Sequence, residues 1–474
     1  MTQRTVETSQ IWRLVRVVIG CGVLLSPVGC KDLTGSQQLP SGTPNPSFYN
    51  TAAGAVGMRN AAVLAFEAAL TPYIADAGLF TDEMSLGTSI NISVDQRILI
   101  EGQVNSATDA DYNRLQGARI LLNQAIGQLT TYDTATADTA SAKVMRGELY
   151  ALVGYTEVLL ADFFCSGVPL STLDFQKDLT YQPGSTTGQL YQAAIAKFDT
   201  AISLASDSAR VLNMALVGKG RARLDLGQYD SASAAVTQVP TDFNYQLSGR
   251  GNWSSIFQEI GEANREGITG LPYVSSGDPR TTAVVANNCG SIGCTTEIVT
   301  FPSKYTQSDG NGGFVIPDDQ LVTLASGVEA RLIEAEAALQ RNATDTTWLH
   351  MLNVLRATAP IPGTTQPATP QQLPALIDPG TSPNDSARVA LLFAERAEWL
   401  FLTGTRQGDL RRLLRQYSQI YQSEAQVYPS GPYLFLGGGN IGFGSGVYGT
   451  TVNAPIPSLE LVNPKFHGCL SHGA

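Results

Sequence analysis

The sequence predicts a mostly α-helical protein in which a helical body carries a loop-rich, irregular region with short strands. Apolar residues recur at helical spacing over long stretches of the chain. Between Asn244 and Asp318 this periodicity fades and Gly, Asn, Ser, Thr and Pro become frequent, and the tail from Tyr428 is Gly-rich. We therefore expect helices over residues 47–240 and 318–415, and irregular chain over 241–317 and 416–474.

Six stretches carry the clearest helical pattern. They are Asn60–Leu70, Leu115–Leu129, Met145–Phe164, Leu321–Gln340, Thr347–Arg356 and Asp385–Leu402. In the second, residues 115, 118, 122, 125 and 129 are all Leu or Ala and share one face. Such faces are buried by packing the helices against each other.

One segment has a more specific pattern. An apolar stripe on a first helix (Tyr191, Ala194, Ile195, Phe198 and Ile202) precedes a second helix over about Asn213–Leu226. Small and turn-forming residues then fall close to the tetratricopeptide pattern: Gly220, Leu224, Gly227, Tyr229, Ala232 and Pro240. Looser matches lie at Tyr150–Ala161 and Glu329–Leu339, so we expect tetratricopeptide-like helix pairs rather than a long solenoid.

Composition and charge exclude some partners. The chain has 474 residues, 43% of them hydrophobic and 15% charged, which suits a large folded core. Its net charge is -11 at pH 7, and the basic residues are dispersed. Nucleic acid and anionic lipid headgroups both require a basic face, so neither is an expected partner.

The N-terminus predicts export and lipidation. Three arginines precede the apolar run Val17–Leu25, which is too short to span a bilayer but suits a signal peptide. The run leads to Val28, Gly29 and Cys30, which resembles a bacterial lipobox, although Pro27 stands where Leu is usual. Cys21 fits the lipobox letters better but leaves almost no apolar region after Arg16. We prefer Cys30 as the acylated residue; the alternative is that Cys30 is simply the first cysteine of a secreted domain.

This gives a signal peptide over residues 1–29, a lipidated tether over 30–46 and a single body over 47–474. The tether is rich in Ser, Gly, Pro and Gln. No later stretch is expected to be a membrane helix, so the lipid is the only predicted membrane attachment.

Four cysteines remain, and an even number suits an oxidising compartment. Cys289 and Cys294 enclose a flexible four-residue loop and are expected to form a local disulfide, which leaves Cys165 and Cys469 as a second pair. The alternative is a zinc site, which the three histidines and the lack of a second paired-cysteine motif make less favourable. We expect no metal and no cofactor.

Enzymatic interpretations find little support. Glu395 and Glu398 resemble a glycosidase pair, but Arg396 is nearby and nothing in the pattern separates their pKa values. No serine lies in a nucleophile elbow. Glycines from Gly437 to Gly449 match dinucleotide-binding spacing, but Pro455 and Pro457 follow instead of a helix. We therefore expect a protein that is not an enzyme.

Aromatic residues in the loop-rich region are the candidates for ligand binding, because sugar rings stack on aromatic planes. They are Trp253, Tyr273 and Tyr305. For each, ordinary partial burial is the alternative explanation.

Motifs along the chain are similar to those of the SusD/RagB family. The strongest is a Glu-Arg helix followed by a Gly-x-Arg-x-x-Asp-Leu-x-Arg turn: Glu395, Arg396, Trp399, Phe401, Gly404, Arg406, Asp409, Leu410 and Arg411. A Glu-Ala-rich helix and its Asn-x-x-Arg partner are also similar: Glu329, Ala330, Arg331, Glu334, Ala335, Leu339, Asn353 and Arg356. Asp278-Pro279-Arg280, the Ala454-to-Pro464 end and the start at Cys30 complete the pattern in order. Judged from the residues alone, the charged side chains of 395–411 have the spacing of structural ion pairs, and Trp399 is expected to be a core residue.

The resemblance implies a cell-surface lipoprotein that binds a nutrient, most simply a glycan or oligosaccharide. It would deliver the nutrient to a SusC-like TonB-dependent transporter, for which it acts as a lid. Its place would be the outer membrane, lipid-anchored and facing the exterior. The alternative is a tetratricopeptide-type scaffold that binds proteins in the periplasm or envelope.

Overall fold

A computed structural model describes residues 49–84, 92–132, 139–174, 179–248, 278–281, 283–286, 299–302, 307–308, 314–315, 321–359, 373–433 and 446–474. Of the strand residues between 283 and 315, and of Thr139 and Ala140, only the backbone is described. The residues from Tyr49 to Ala474 form one compact unit. The predicted signal peptide, Cys30 and the tether lie outside the described residues.

The first helix, α1 (Ala52–Phe80), is far longer than the predicted Asn60–Leu70. Thr51 caps its N-terminus by accepting a hydrogen bond from the backbone N–H of Gly54. The helix is long and apolar enough to cross a membrane, contrary to the sequence expectation, but 72% of its most apolar stretch is buried in the protein. It is therefore a core helix of this fold.

A one-turn helix α2 (Ile92–Asp95) leads to α3 (Ser106–Tyr132) and α4 (Thr139–Phe163). The predicted apolar face of α3 is buried at all five positions. Every residue from 151 to 169 is buried, so the second half of α4 is surrounded by the other elements. Four short strands follow in what was predicted as helical chain: β1 (Val168–Pro169) pairs with β4 (Gly184–Ser185), and β2 (Thr172–Leu173) with β3 (Leu179–Thr180).

Helices α5 (Thr187–Leu204), α6 (Ala209–Asp225) and α7 (Tyr229–Val236) form the predicted tetratricopeptide-like region. A capping box of Thr186 and Gln189 starts α5. Gly227, at φ +70°, ends α6 in a Schellman arrangement, and a Cβ on Gly220 would collide with Val236 of α7. The roles predicted for both glycines are confirmed.

Strand β5 (Asn244–Ser248) pairs antiparallel with β10 (Leu321–Ser326). The first six residues of the helix predicted over 321–340 are therefore strand, and the helix itself starts at Gly327. Alternating burial of Val322 and Leu324 has the period of a strand, and Ser326 then caps the helix. Between them lie two more antiparallel pairs. They are β6 (Ala283–Ala286) with β7 (Val299–Pro302), and β8 (Gln307–Ser308) with β9 (Phe314–Val315).

The remaining helices are α8 (Gly327–Arg341), α9 (Thr347–Thr358), α10 (Ser386–Trp399) and α11 (Arg406–Gln416). From α3 to α9 each helix packs on the next one in the sequence, and α8 also packs on α10. A mostly helical body of tetratricopeptide-like pairs is therefore confirmed. The succession of packed helices is longer than the single convincing repeat in the sequence.

The C-terminal chain closes against the helices rather than forming a layer of its own. Ala454 bridges to Phe164, and Ser471 to Ser166, at the end of α4. The structure joins Cys165 to Cys469 by a disulfide at the same place. Cys289 and Cys294 lie outside the described residues.

Candidate functional site

The Asp-Pro-Arg segment and the Glu-Arg helix form one buried clamp. The Arg280 guanidinium donates hydrogen bonds to both Glu395 carboxylate oxygens on α10 (2.7 and 3.1 Å) and to both Asp278 oxygens (2.6 and 2.8 Å). Arg356, from the Asn-x-x-Arg helix α9, donates to Glu395 at 2.6 Å. Three motifs that are separate in the sequence therefore meet at one carboxylate.

Electrostatics and packing both hold this clamp closed. Burial alone would lower the pKa of Arg280, but the hydrogen bonds that it donates to Asp278 and Glu395 raise it. The Arg280 guanidinium also lies 4.8 Å from the ring centre of Trp399, which is buried as predicted. The charges are balanced within the clamp, since Arg280 and Arg356 face Asp278 and Glu395. Its chemistry is that of a structural support.

A second buried cluster joins α8, α10 and α11. Arg396 donates to both oxygens of Asp409 at 2.8 and 2.9 Å, the pairing predicted across the helix and its turn. Arg412 donates to Asp225 of α6 at 3.1 Å and to Glu336 of α8 at 2.8 Å. Burial would raise the pKa of Asp409, but Arg396 and Arg412 outweigh it and hold the pKa below its usual value.

Sequence reasoning singled out Arg411 and overlooked its neighbour. Among the described residues, Arg411 donates to backbone carbonyls alone, those of Ala161, Asp162, Phe164 and Gly473. Arg412, which was not singled out, makes the ion pairs. Helical phase separates the two: adjacent residues point about 100° apart, so only one of them faces α8 and α6.

The clamp fixes one end of the segment that contains two of the predicted ligand residues. Trp253 and Tyr273 lie between Ser248, the last residue of β5, and Asp278 of the clamp; both aromatic residues are outside the described residues. Tyr305 is also outside them, between β7 and β8. The structure thus describes the supports of this region, and the three aromatic positions stay predictions.

The two carboxylates considered as an acid and base pair face different partners. Glu395 is committed to Arg280 and Arg356, whereas Glu398 accepts a hydrogen bond from the Thr281 hydroxyl at 2.8 Å. Burial raises the pKa of Glu398, a shift that the sequence did not indicate. A general acid needs access to substrate, and Glu395 has none because it is buried under two guanidiniums. The arrangement supports no glycosidase mechanism at this pair.

Among the described residues, one group has metal-ligand proximity: Cys165, Cys469 and His472. The two cysteine sulfurs are bonded to each other, so they are not thiolate ligands. His472 lies 2.9 Å from Glu101 on the same surface. This group is a disulfide with a neighbouring hydrogen bond between His472 and Glu101.

The large exposed apolar side chains of the described residues fall mainly in a few chain segments that hydrogen bonds link to one another, and those in these segments are here called the apolar surface. Nine of the fourteen large ones belong to it: Ile98, Ile100, Val104, Leu179, Val447, Leu459, Leu461, Val462 and Leu470. Hydrogen bonds tie its segments together, since Glu101 accepts from the Cys469 amide and Asn463 donates to the Gln182 carbonyl. Apolar exposure of this kind is typical of interaction surfaces.

The described residues define a class: a protein of packed helix pairs in which buried ion pairs join the Asp278–Arg280 segment to the helices. Solved structures of the same fold are SusD superfamily proteins, so this chain has a SusD-like fold. One, from Bacteroides thetaiotaomicron, is 14% identical; the match covers 89% of this chain and 100% of that chain with a TM-score of 0.61. The sequence matches no protein-family model and no curated protein.

Two further structures have descriptions that mention a ligand. Surface glycan-binding protein A from Bacteroides uniformis is 14% identical over 86% of this chain and 99% of that chain, with a TM-score of 0.56. A laminarin-binding SusD-like protein is 13% identical over 87% and 98%, with a TM-score of 0.50. At this level of identity the matches establish the fold.

Proposed function

We propose that this protein is a surface lipoprotein that binds a glycan or oligosaccharide and delivers it to a SusC-like TonB-dependent transporter, acting as its lid. The observation that carries the proposal is the SusD-like fold over almost the whole length of both chains, with glycan-binding proteins among its neighbours. We propose an outer-membrane location with the lipid on Cys30 and the body facing the exterior. No catalytic step is part of this function.

The support for ligand binding by the loop-rich region is its anchoring. A loop presents binding residues with precision when rigid elements hold its ends. Here the β5–β10 ladder holds one end of residues 249–277, and the Arg280 clamp holds the other. Trp253, Tyr273 and Tyr305 are the proposed stacking residues.

The apolar surface is the proposed contact with the transporter. A lid that rests on a membrane protein needs an exposed face able to lose water on docking, and nine large apolar side chains are exposed here. Leu461→Asp is expected to reduce co-purification of the transporter from membranes while thermal stability is kept, because this side chain is solvent-exposed. Exposed Leu64 on α1 gives the matched control, Leu64→Asp, which is expected to leave co-purification unchanged.

Ligand binding is tested by calorimetry of each aromatic-to-Ala variant against a panel of oligosaccharides and peptides. Loss of a stacking contact is expected to weaken binding by about 1–2 kcal/mol without a change in the thermal melt. Unaltered affinity in all three variants would place the site elsewhere. Binding of protein partners but of no glycan would favour the scaffold alternative.

Anchoring is tested by Cys30→Ala. Because acylation is the proposed membrane attachment, the variant is expected in soluble fractions. Cys21→Ala is the control that distinguishes the two possible lipobox cysteines. Retention of both variants in the membrane would contradict lipid anchoring at either position.

A further inference from the structure

An open cleft of about 550 Å³ lies between the first halves of α1 and α4 and the N-terminus of α6. Its volume is within the range of small-ligand sites, ~300–1,000 Å³. The nine residues that line it lie on α1, on α4, on α6 and in the turn before α6. Charged side chains lie at the bottom of the cleft, and both apolar and polar side chains line its sides.

The floor is one carboxylate shared by two arginines. Glu148 is buried and accepts hydrogen bonds from Arg59, from Arg210 at 2.9 Å and from the Tyr245 hydroxyl at 2.7 Å. Arg210 stacks over the Tyr245 ring, with its guanidinium carbon 4.0 Å from the ring centre. Tyr245 therefore fixes where the Arg210 guanidinium points.

The two guanidiniums keep capacity for a further anion. The Arg210 side chain is 56% exposed and that of Arg59 is 23% exposed, so both reach the solvent of the cleft. The buried Arg59 Nε has no hydrogen-bond partner among the described residues. Burial lowers the pKa of Arg59, and Arg210 lowers it too, whereas Tyr245 and Glu67 raise it. Arg59 also donates to Asn60 Oδ1 at 2.9 Å, and both arginines already share Glu148, so a carboxylate in the cleft would bind the guanidinium surface that faces solvent. The exposed Asp207 carboxylate also lines the cleft.

The walls suit a polyhydroxylated ring. Val144 and Met145, both partly exposed, line the cleft with apolar surface against which the C–H face of a sugar can pack, and buried Val211 lies behind them. Ser141, Asp207 and Ser208 line it with groups able to bond hydroxyls. Ser208 stands at the N-cap of α6, but its side chain does not cap the helix. The positive end of the α6 dipole adds to the attraction for an anion, although a helix end by itself makes no site.

We propose that this cleft binds a sugar acid of the uronic acid class, with Arg59 and Arg210 holding its carboxylate and the partly exposed Val144 and Met145 side chains receiving its ring. The sugar part of this inference rests on the proposed function. The carboxylate part rests on the two arginines alone.

The test is calorimetry on the full chain with sodium glucuronate and galacturonate, matched against glucose, galactose and sodium acetate. Both uronates are expected to bind and the neutral sugars are not. Arg210→Gln is expected to weaken uronate binding about tenfold or more, as for loss of a charge-assisted hydrogen bond. Arg341→Gln is the matched control, because Arg341 is an exposed arginine paired with exposed Asp230, away from the cleft lining; it is expected to leave binding unchanged.

Each outcome decides the inference. Absence of uronate binding, or binding that Arg210→Gln leaves intact, overturns it. Acetate binding as tightly as the uronates overturns the assignment to a sugar. If Arg210→Gln lowers the thermal melt, Arg210→Lys, which keeps the charge but loses the planar fork, is compared in its place and is expected to bind more weakly than wild type. Neutral oligosaccharides that bind equally to wild type and Arg210→Gln would keep the proposed function while leaving this cleft out of it.

Discussion

Two glutamates in this protein have similar partners and different surroundings. Glu395 and Glu148 are both buried on helices, and each accepts hydrogen bonds from two arginines. Around Glu395 the arginines are 1% and 10% exposed, and Arg280 has Asp278 as a second carboxylate. Around Glu148 the arginines are 23% and 56% exposed and line a cleft.

This difference in the exposure of the arginines distinguishes an ion-pair cluster that stabilises the fold from one that can bind a ligand. Taking a charge out of water is costly, so a fully buried guanidinium requires all its partners from the protein. The Glu395 clamp meets that requirement, and among the described residues its two guanidiniums have no buried N–H group without a partner for a ligand to bond. The Glu148 cluster leaves guanidinium surface in water, where a ligand can replace solvent. The same residue types therefore stabilise the fold in one place and offer a binding surface in the other.

The largest expected effect is on the clamp. Glu395→Gln leaves Arg280 and Arg356 buried beside each other without their shared carboxylate, so we expect a loss of about 3–5 kcal/mol in the free energy of unfolding. Urea denaturation measures it. Glu398→Gln, on the same helix, is the matched control, and since Glu398 bonds Thr281 rather than an arginine, its expected loss is at most about 1 kcal/mol. Equal losses in the two variants would contradict the role of the clamp.

The sequence was most informative where local pattern decides structure. Helical period located the helices, and the Gly227 and Gly220 positions identified the turn and close approach of α6 and α7. Within residues 395–411, the pairing of Arg396 with Asp409 was correctly predicted, because the two residues are close in the chain, separated by one helix end and its turn; Arg411 instead bonds backbone carbonyls. Local spacing carries that information.

Long-range partnerships were not predictable in the same way. Nothing near Glu395 in the sequence indicates that Arg280 lies against it, 115 residues away. Strand β10 was taken for helix because its partner β5 lies some seventy residues earlier, across the loop-rich region. The cleft was missed for the same reason, since Arg59, Glu148 and Arg210 come from three separate helices. A single sequence gives no register between such elements.

A third buried glutamate sharpens the comparison through pH. Glu157 lies on α4, as Glu148 does, but its Oε2 has no hydrogen-bond partner among the described residues. Burial raises the pKa of Glu157 from 4.5 to about 7, and the nearby charges of Lys197 and Arg119 offset only part of this shift. A carboxyl with a raised folded pKa favours the folded state below its unfolded pKa and loses that contribution as pH rises through about 7. Glu157→Gln is therefore expected to be more stable than wild type at pH 8, by roughly 2–3 kcal/mol, and equal to it near pH 4.

Urea denaturation across this pH range is the measurement. Asp162, whose pKa burial also raises to about 7, keeps part of the pH dependence in the variant. Parallel pH profiles of the wild type and the Glu157→Gln variant would show that the pKa of Glu157 is the same in the folded and unfolded states, which would contradict the shift.

The smallest expected effect, and the most direct test of the comparison, is at Glu148. Glu148→Gln removes the charge shared by Arg59 and Arg210, but these guanidiniums reach water, so we expect a loss of only about 1–2 kcal/mol, less than for Glu395→Gln. The same variant releases both arginines from their internal carboxylate and is expected to bind glucuronate at least as tightly as wild type. A loss of stability equal to that of Glu395→Gln would make the cluster a second support. Weaker uronate binding in a variant that melts normally would mean that Glu148 is needed to position the arginines.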